Sequence, residues 1–335
     1  MIRRWPILLK ALLAVAVVGY IVAWVEVEAV LTAFATAGWR WIALAAVLLP
    51  VNLLLEIGVW HQLVRQIAPG TSVRTSGEAA LCGHALGLFT PARVGELAGR
   101  AFYIPAGDRW TLGAAAFTER LTMVAVGGLV GVPTLLWFLQ THTPSASAAL
   151  YLALLYAGGV TLALLLGLAV PRRAWHGLRR LGWQRLSHAS RFLRALRGSV
   201  HAWLIGYSVA RYTVFALQFL LALWAFAPEA APTTALAGIA LVFMTKFLMP
   251  SLTLGDLGIR EGAAVYFFGW MGFAHAAVLN ASLVIFGLTV LVPALLGLPY
   301  VLALKIQHPR PEAVPEAVDV SPPSSPVVSS SSSDG

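Results

Sequence analysis

Arg93, Glu96 and Arg100 lie at i, i+3 and i+7 inside the apolar stretch 81–105, LCGHALGLFTPARVGELAGRAFYIP. Residues at that spacing share one face of a helix. Thr90 suits an N-cap, and Pro91 suits a first helical position, where its missing N–H costs nothing. The sequence therefore predicts a helix starting at Pro91, with Arg93 in its first turn and Gly95 just after it. Free N–H groups at a helix start, with an arginine beside them, are the chemistry that binds phosphate.

A second stretch, 241–270, repeats the theme as LVFMTKFLMPSLTLGDLGIREGAAVYFFGW. Lys246 precedes a break at Pro250. Gly255 makes a turn, Asp256 is placed to cap the next helix, and Gly258 permits close backbone approach. Arg260 and Glu261 follow in the first turn. Two readings stand for Arg260. It pairs with Asp256 or Glu261 and holds the fold, or it meets a ligand.

Further polar residues sit inside otherwise apolar runs. Asn52 and Glu56 are spaced i, i+4, and Arg211 and Gln218 share a face of a later run. An unpaired charge at the centre of a bilayer costs at least about 2.5–3.5 kcal/mol, so Glu56 is expected to face Arg211 or another cation. Glu119 and Arg120 are adjacent, about 100° apart on a helix. One is expected to face the first broken stretch and the other to extend toward the headgroups.

These residues need elements to hold them, and composition says which. Of 335 residues, 59% are apolar and 11% charged, against about 25% charged in an ordinary soluble domain. The apolar runs exceed the roughly 20 residues that cross a bilayer as a helix. The fold class is all-α, a polytopic helical membrane protein. Full spans are read at 7–25, 39–64, 111–140, 147–170, 199–227 and 275–302, with broken, re-entrant segments at 75–105 and 233–270.

The net charge is +9, and eight arginines from Arg172 to Arg197 fall in one loop without an acidic residue. Between apolar spans this loop, 171–198, is read as cytoplasmic and facing an anionic leaflet rather than nucleic acid. Its apolar side, with Trp175, Trp183 and Phe192, suits a helix lying in the interface. Arg3, Arg4 and Lys10 place the N-terminus inside, and Lys305 and Arg310 place the C-terminus there too. Arg40 alone dissents. This topology makes 39–140 and 199–302 pseudo-repeats of opposite orientation, the arrangement in which transporters hold substrate near the midplane. Residues 1–303 form one transmembrane domain, and 304–335 a Pro/Ser-rich tail unable to bury a core.

Several chemistries find no support. Cys82 is the only cysteine, so no disulfide forms within the chain. The eight histidines give no metal-binding motif. Only His84, inside the first broken stretch, invites a functional reading, with a satisfied structural histidine as the alternative. No phosphate loop, GxSxG elbow or nucleophile–base pair is present, so neither an enzyme, a cofactor nor a metal is expected.

With FTPARVGELAGR at 89–100, ERL at 119–121 and MPSLTLGDLGIREG at 249–262, the chain resembles the lysylphosphatidylglycerol synthase transmembrane family. That family includes the flippase-like region of the multiple peptide resistance factor. The resemblance spans about residues 5–303. It implies an integral protein of a prokaryotic cytoplasmic membrane, with two broken-helix subdomains, associated with translocation of lipids or lipid-linked groups. By position it carries over Pro91, Arg93, Gly95, Glu96, Glu119, Arg120, Gly258, Arg260 and Glu261. Asn280 departs from the pattern, since relatives tend to place a basic residue there. The synthases append a soluble aminoacyl-transferase domain, whereas this chain continues into the Pro/Ser-rich tail, so lysylphosphatidylglycerol synthesis is not expected.

The resulting expectation is movement of a phospholipid or polyprenyl-phosphate-type headgroup. Arg93, Arg100, Arg120, Arg211, Lys246 and Arg260 would neutralise the phosphate. Glu56, Glu96, Glu119, Asp256 and Glu261 would orient them or bind a coupling proton. The partners are membrane lipids and not nucleic acid. The alternative is a non-transporting scaffold for a separate lipid-modifying or glycosyl-transferring enzyme.

Overall fold

The computed structural model describes residues 27–142, 159, 198–248 and 257–304. The expected spans at 7–25 and 147–170, the basic loop, Pro250, Gly255, Asp256 and the tail lie outside the described residues. Every regular element among the described residues is helical.

A short helix, α1 (Val27–Ala35), comes first. The long helix α2 (Trp39–Arg65) follows, then a hairpin of α3 (Val73–Phe89) and α4 (Val94–Tyr103) joined by a 3-10 turn at Pro91–Arg93. Helix α5 (Arg109–His142) completes the first half. The second half repeats this order. Helix α6 (Gly198–Phe226) leads to α7 (Pro232–Leu248) and α8 (Ile259–Trp270). Last comes α9 (His275–Phe286), which continues through a π turn at Gly287–Leu291 into α10 (Val292–Ala303). Four stretches are long and apolar enough to cross a membrane: Trp39–Arg65, Arg109–His142, Ala202–Phe226 and His275–Ala303. They match four of the expected spans to within three residues. Helix α1 was not foreseen.

The two halves are inverted relative to each other. Along α2 and α6 the pairs are Gly38 with Ala225, Asn52 with Gln218, Glu56 with Arg211, and Gly58 with Tyr207. One helix counts up as the other counts down, so the first helices of the repeats are antiparallel. The exchange continues outward. The first hairpin packs on the last helix, with Gly297 of α10 against Leu81 of α3, and α7 packs on α5, with Phe243 against Gly127.

Local chemistry sets the breaks. Ser72 caps α3 by accepting from Thr75 N–H at 3.1 Å. Asp108 caps α5 by accepting from the N–H and hydroxyl of Thr111 at 2.9 and 2.7 Å. Pro50 removes one donor inside α2. Gln218 ties this region to α6, donating to Ala45 O at 3.1 Å and accepting from Asn52 at 3.1 Å. Pro293 has no N–H for the carbonyl of Thr289, four residues back, and the helix widens to a π turn just before it.

Small residues let the first hairpin close tightly. A Cβ on Gly99 would lie 2.8 Å from the Cα of Gly83, and one on Gly95 would overlap the carbonyl of Leu86. Backbones at that separation leave room for glycine only. Apolar packing secures both halves. Trp60 and Leu63 centre one cluster, and Phe219, Phe243 and Phe268 centre the other.

Candidate functional site

The tip of the first hairpin differs from the expected proline-started helix. Ala92 (φ 49°, ψ 21°) and Arg93 (φ 53°, ψ 31°) are both left-handed, and α4 begins at Val94. Thr90 ends α3 as its C-cap instead of starting α4, whose N-cap position is Arg93. The Thr90 hydroxyl accepts from Gly95 N–H at 2.7 Å and donates to Leu86 O at 3.1 Å, tying the end of α3 to the start of α4. Two consecutive non-glycine residues with positive φ are unfavourable for L-residues and persist only where the surroundings over-determine them. Arg120 supplies one such constraint by donating from Nη1 to Ala92 O at 3.0 Å.

The turn orients a closed ring of charge. Arg100 Nη1 donates to Glu119 Oε2 at 2.8 Å, and its Nη2 meets Glu56 Oε1. Arg211 closes the ring, reaching Glu119 Oε1 at 2.8 Å and Glu56 Oε2 at 2.7 Å. Arg100 also reaches Glu96 at 2.9 Å, and Arg93 meets the other Glu96 oxygen at 3.0 Å. His84 lies between, 3.0 Å from Glu56 through Nε2 and 3.1 Å from Arg93 through Nδ1. Glu56, Arg100 and Glu119 are at most 3% exposed. Each buried carboxylate thus has more than one cationic partner, the condition under which a buried charge is tolerated. Arg100 also lies over the Trp60 ring at 5.8 Å.

The ring borders a cavity of about 130 Å³ between the halves. Five cations line it, Arg93, Arg100, Arg120, Arg211 and Lys246, with three carboxylates, Glu56, Glu96 and Glu119. Lys246 comes from α7, so both broken segments reach one cavity. Arg120 makes no ion pair among the described residues, and its bond is to a carbonyl. Leu49, Leu53, Phe215 and Phe243 add an apolar wall.

One expectation needs correction. Glu119 and Arg120 were to point to different places, and Arg120 does not extend toward the headgroups. Both border the cavity, because the first hairpin lies along α5 and meets Arg120 at its tip, through Ala92 O, and Glu119 further along α4, through Arg100. The second motif is also placed differently. Arg260 and Glu261 do not line the cavity. Arg260 Nη2 donates to Glu261 Oε1 at 2.6 Å, and its Nε lies 3.2 Å from Ser282 Oγ. Glu261 Oε2 accepts from Gly258 N–H at 2.6 Å. Helix α8 starts behind Gly258 (φ 97°), two residues later than a cap at Asp256 would set it. Asn280 donates to Val30 O at 2.8 Å and holds α1.

Glu56, His84 and Glu96 bring ligand atoms within 4.8 Å of one another, a spacing that suits a metal ion. The oxygens of Glu56 and Glu96 already face Arg93, Arg100 and Arg211. The cluster is an ion-pair network, and its donor set does not fit a metal centre. The sequence reading omitted Asn52, Thr289 and Pro293 from the site, and all three line the cavity. The i, i+4 pairing of Asn52 with Glu56 was the available signal for the first.

The inverted halves, the four membrane-length apolar helices and the buried charged cavity define a polytopic helical membrane protein. The sequence model for the transmembrane region of lysylphosphatidylglycerol synthase matches residues 7–297, and the chain belongs to that family. The family is one of membrane proteins in lipid modification or translocation. Neither a search of curated proteins nor one of solved structures returned a significant match.

Proposed function

We propose that the protein moves lipids between leaflets by passing a phosphate-bearing headgroup through the cavity between its halves while the acyl chains stay in the bilayer. The observation that carries this reading is the cavity itself, lined by five cations and three carboxylates. Clustered guanidinium and ammonium groups in a low-dielectric site favour an anion. Arg120 is the clearest recruit, since among the described residues its bond is to a carbonyl, Ala92 O, and not to a carboxylate. The first hairpin's tip and Lys246 of α7 at one cavity suit alternating access, in which each half gates one side.

The test is headgroup accessibility in vesicles of phosphatidylcholine holding only this protein and a trace of fluorescent phosphatidylglycerol or fluorescent phosphatidylcholine. Wild type is expected to equilibrate the anionic probe faster than the zwitterionic one. Arg120→Gln is expected to slow the anionic probe by about tenfold, the equivalent of one charge-assisted hydrogen bond. Rates equal to those of protein-free vesicles would overturn the proposal.

A further inference from the structure

His84 is the one buried histidine among the described residues, and its two nitrogens make different contacts. Nδ1 lies 3.1 Å from Arg93 Nη2. A guanidinium only donates, so Nδ1 is the acceptor and the ring proton sits on Nε2, 3.0 Å from Glu56. In this state His84 is neutral. A second proton has one place to go, Nδ1, where it would meet the Arg93 N–H head-on. Protonated His84 and the Arg93 contact therefore exclude each other.

Arg93 is held against His84 on a strained turn (φ 53°), with Glu96 3.0 Å away on its other side. An anion in the cavity gives the guanidinium a charged partner in place of a neutral ring. When Arg93 turns to it, Nδ1 is left bare in a buried site. The groups then facing the ring are Glu56 from α2, with Glu96 and Arg100 from α4. Glu119, Arg120, Arg211 and Lys246 border the same cavity from α5, α6 and α7. Helix α10 packs on α3 at Gly297 and Leu81. Its one ionisable side chain, Tyr300, sits against Tyr103 at the far end of the hairpin.

We propose that His84 couples anion binding to proton uptake. A phosphodiester headgroup draws Arg93 off Nδ1, and His84 takes one proton from water, so a monoanion and a proton travel together. The only bonds that change are the N–H formed at Nδ1 and the O–H given up by hydronium or the buffer acid. The proton passes from water to Nδ1 and returns to water when the anion leaves, and the loaded site has gained no net charge. The consequence for transport rests on the translocation reading above, but the coupling itself is a binding property and can be measured without transport.

The probe is dimethyl phosphate, a phosphodiester holding a single negative charge across the neutral range, titrated into the full-length protein in detergent. Calorimetry in buffers of different ionisation heat counts the protons. Uptake of about one proton per anion is expected, with affinity weakening up to about tenfold per pH unit as pH rises. In wild-type protein with 15N-labelled histidine, the His84 signals, assigned by their loss in His84→Gln, should move from a neutral tautomer to imidazolium on adding the anion. His84→Gln keeps an acceptor for Arg93 and cannot take a proton, so its uptake per anion bound should fall to zero whatever its affinity. Binding without proton uptake, or uptake with unmoved His84 signals, overturns the proposal. Proton-coupled binding in a protein that scrambles no lipid would sink the translocation reading and leave this one standing. Scrambling with proton-free binding would do the reverse.

Discussion

Replacing Arg100 with methionine removes the cation shared by three carboxylates and keeps most of its apolar volume. The structure says where the cost falls. Glu56 retains Arg211 and His84, and Glu96 retains Arg93 and is partly exposed. Glu119 keeps Arg211 on Oε1 but loses Arg100, the partner of its Oε2 among the described residues, in a site 3% exposed, and three carboxylates are left with two arginines. Stripping one partner from a buried pair costs about 3–5 kcal/mol, because it strands a charge. Arg100→Met is therefore expected to lose about that much. Neutralising the stranded group should recover much of it. In Arg100→Met/Glu119→Gln the amide oxygen can still accept from Arg211, and no charge is left alone on the Arg100 side. A coupling energy of about 2 kcal/mol or more is expected from the double-mutant cycle, the upper range for residues in one network. The assay is reversible unfolding by sodium dodecyl sulfate in mixed micelles, on wild type, both single variants and the double. A single variant within about 0.5 kcal/mol of wild type, or a double no more stable than Arg100→Met, would refute the account of the ring.

Three further outcomes follow from local geometry and can be read in the same unfolding assay. Gly297→Ala sets a Cβ against the Leu81 carbonyl and should cost about 1–3 kcal/mol, whereas Gly287→Ala meets open space and should be neutral or gain up to about 1 kcal/mol; equal effects would contradict the helix crossing. Thr90→Val removes the acceptor for Gly95 N–H and should cost about 1 kcal/mol, with Thr90→Ser close to wild type. Ala92→Gly relieves a left-handed alanine and should stabilise by up to about 1 kcal/mol, net of the entropy glycine loses; a destabilised variant would mean the turn is held by the methyl group.

The architecture was legible because its signals are local. Length and apolarity mark Trp39–Arg65 and Arg109–His142, and the glycines and charges of residues 81–105 mark a break that no plain span tolerates. The pairing of Glu56 with Arg211 was also within reach, since a midspan carboxylate demands a cation and few were available. The rotational phase of each helix was not legible. Periodicity cannot say that the first hairpin lies along α5 so that its tip meets Arg120 while Arg100 meets Glu119. Nor does the sequence reveal that Arg93 ends the turn in a left-handed conformation, because that strain is held by contacts such as the one to Ala92 O from Arg120, 28 residues downstream. The motif at Arg260 and Glu261 looked equivalent to the one at Arg93 and Glu96. It differs because Ser282 and the Gly258 N–H complete it from nearby.

The glycine contacts of the first hairpin have a mechanical consequence. Where Gly83 meets Gly99, backbone rests on backbone with no side chains between to rearrange. The two limbs therefore move as one lever, and Glu96 and Arg100 ride on it at a fixed spacing. Compliance must be found elsewhere. Two places offer it: the tip at Ala92 and Arg93, and the widened π turn beside Thr289, whose wall of the cavity is free to change register while the lever keeps its shape.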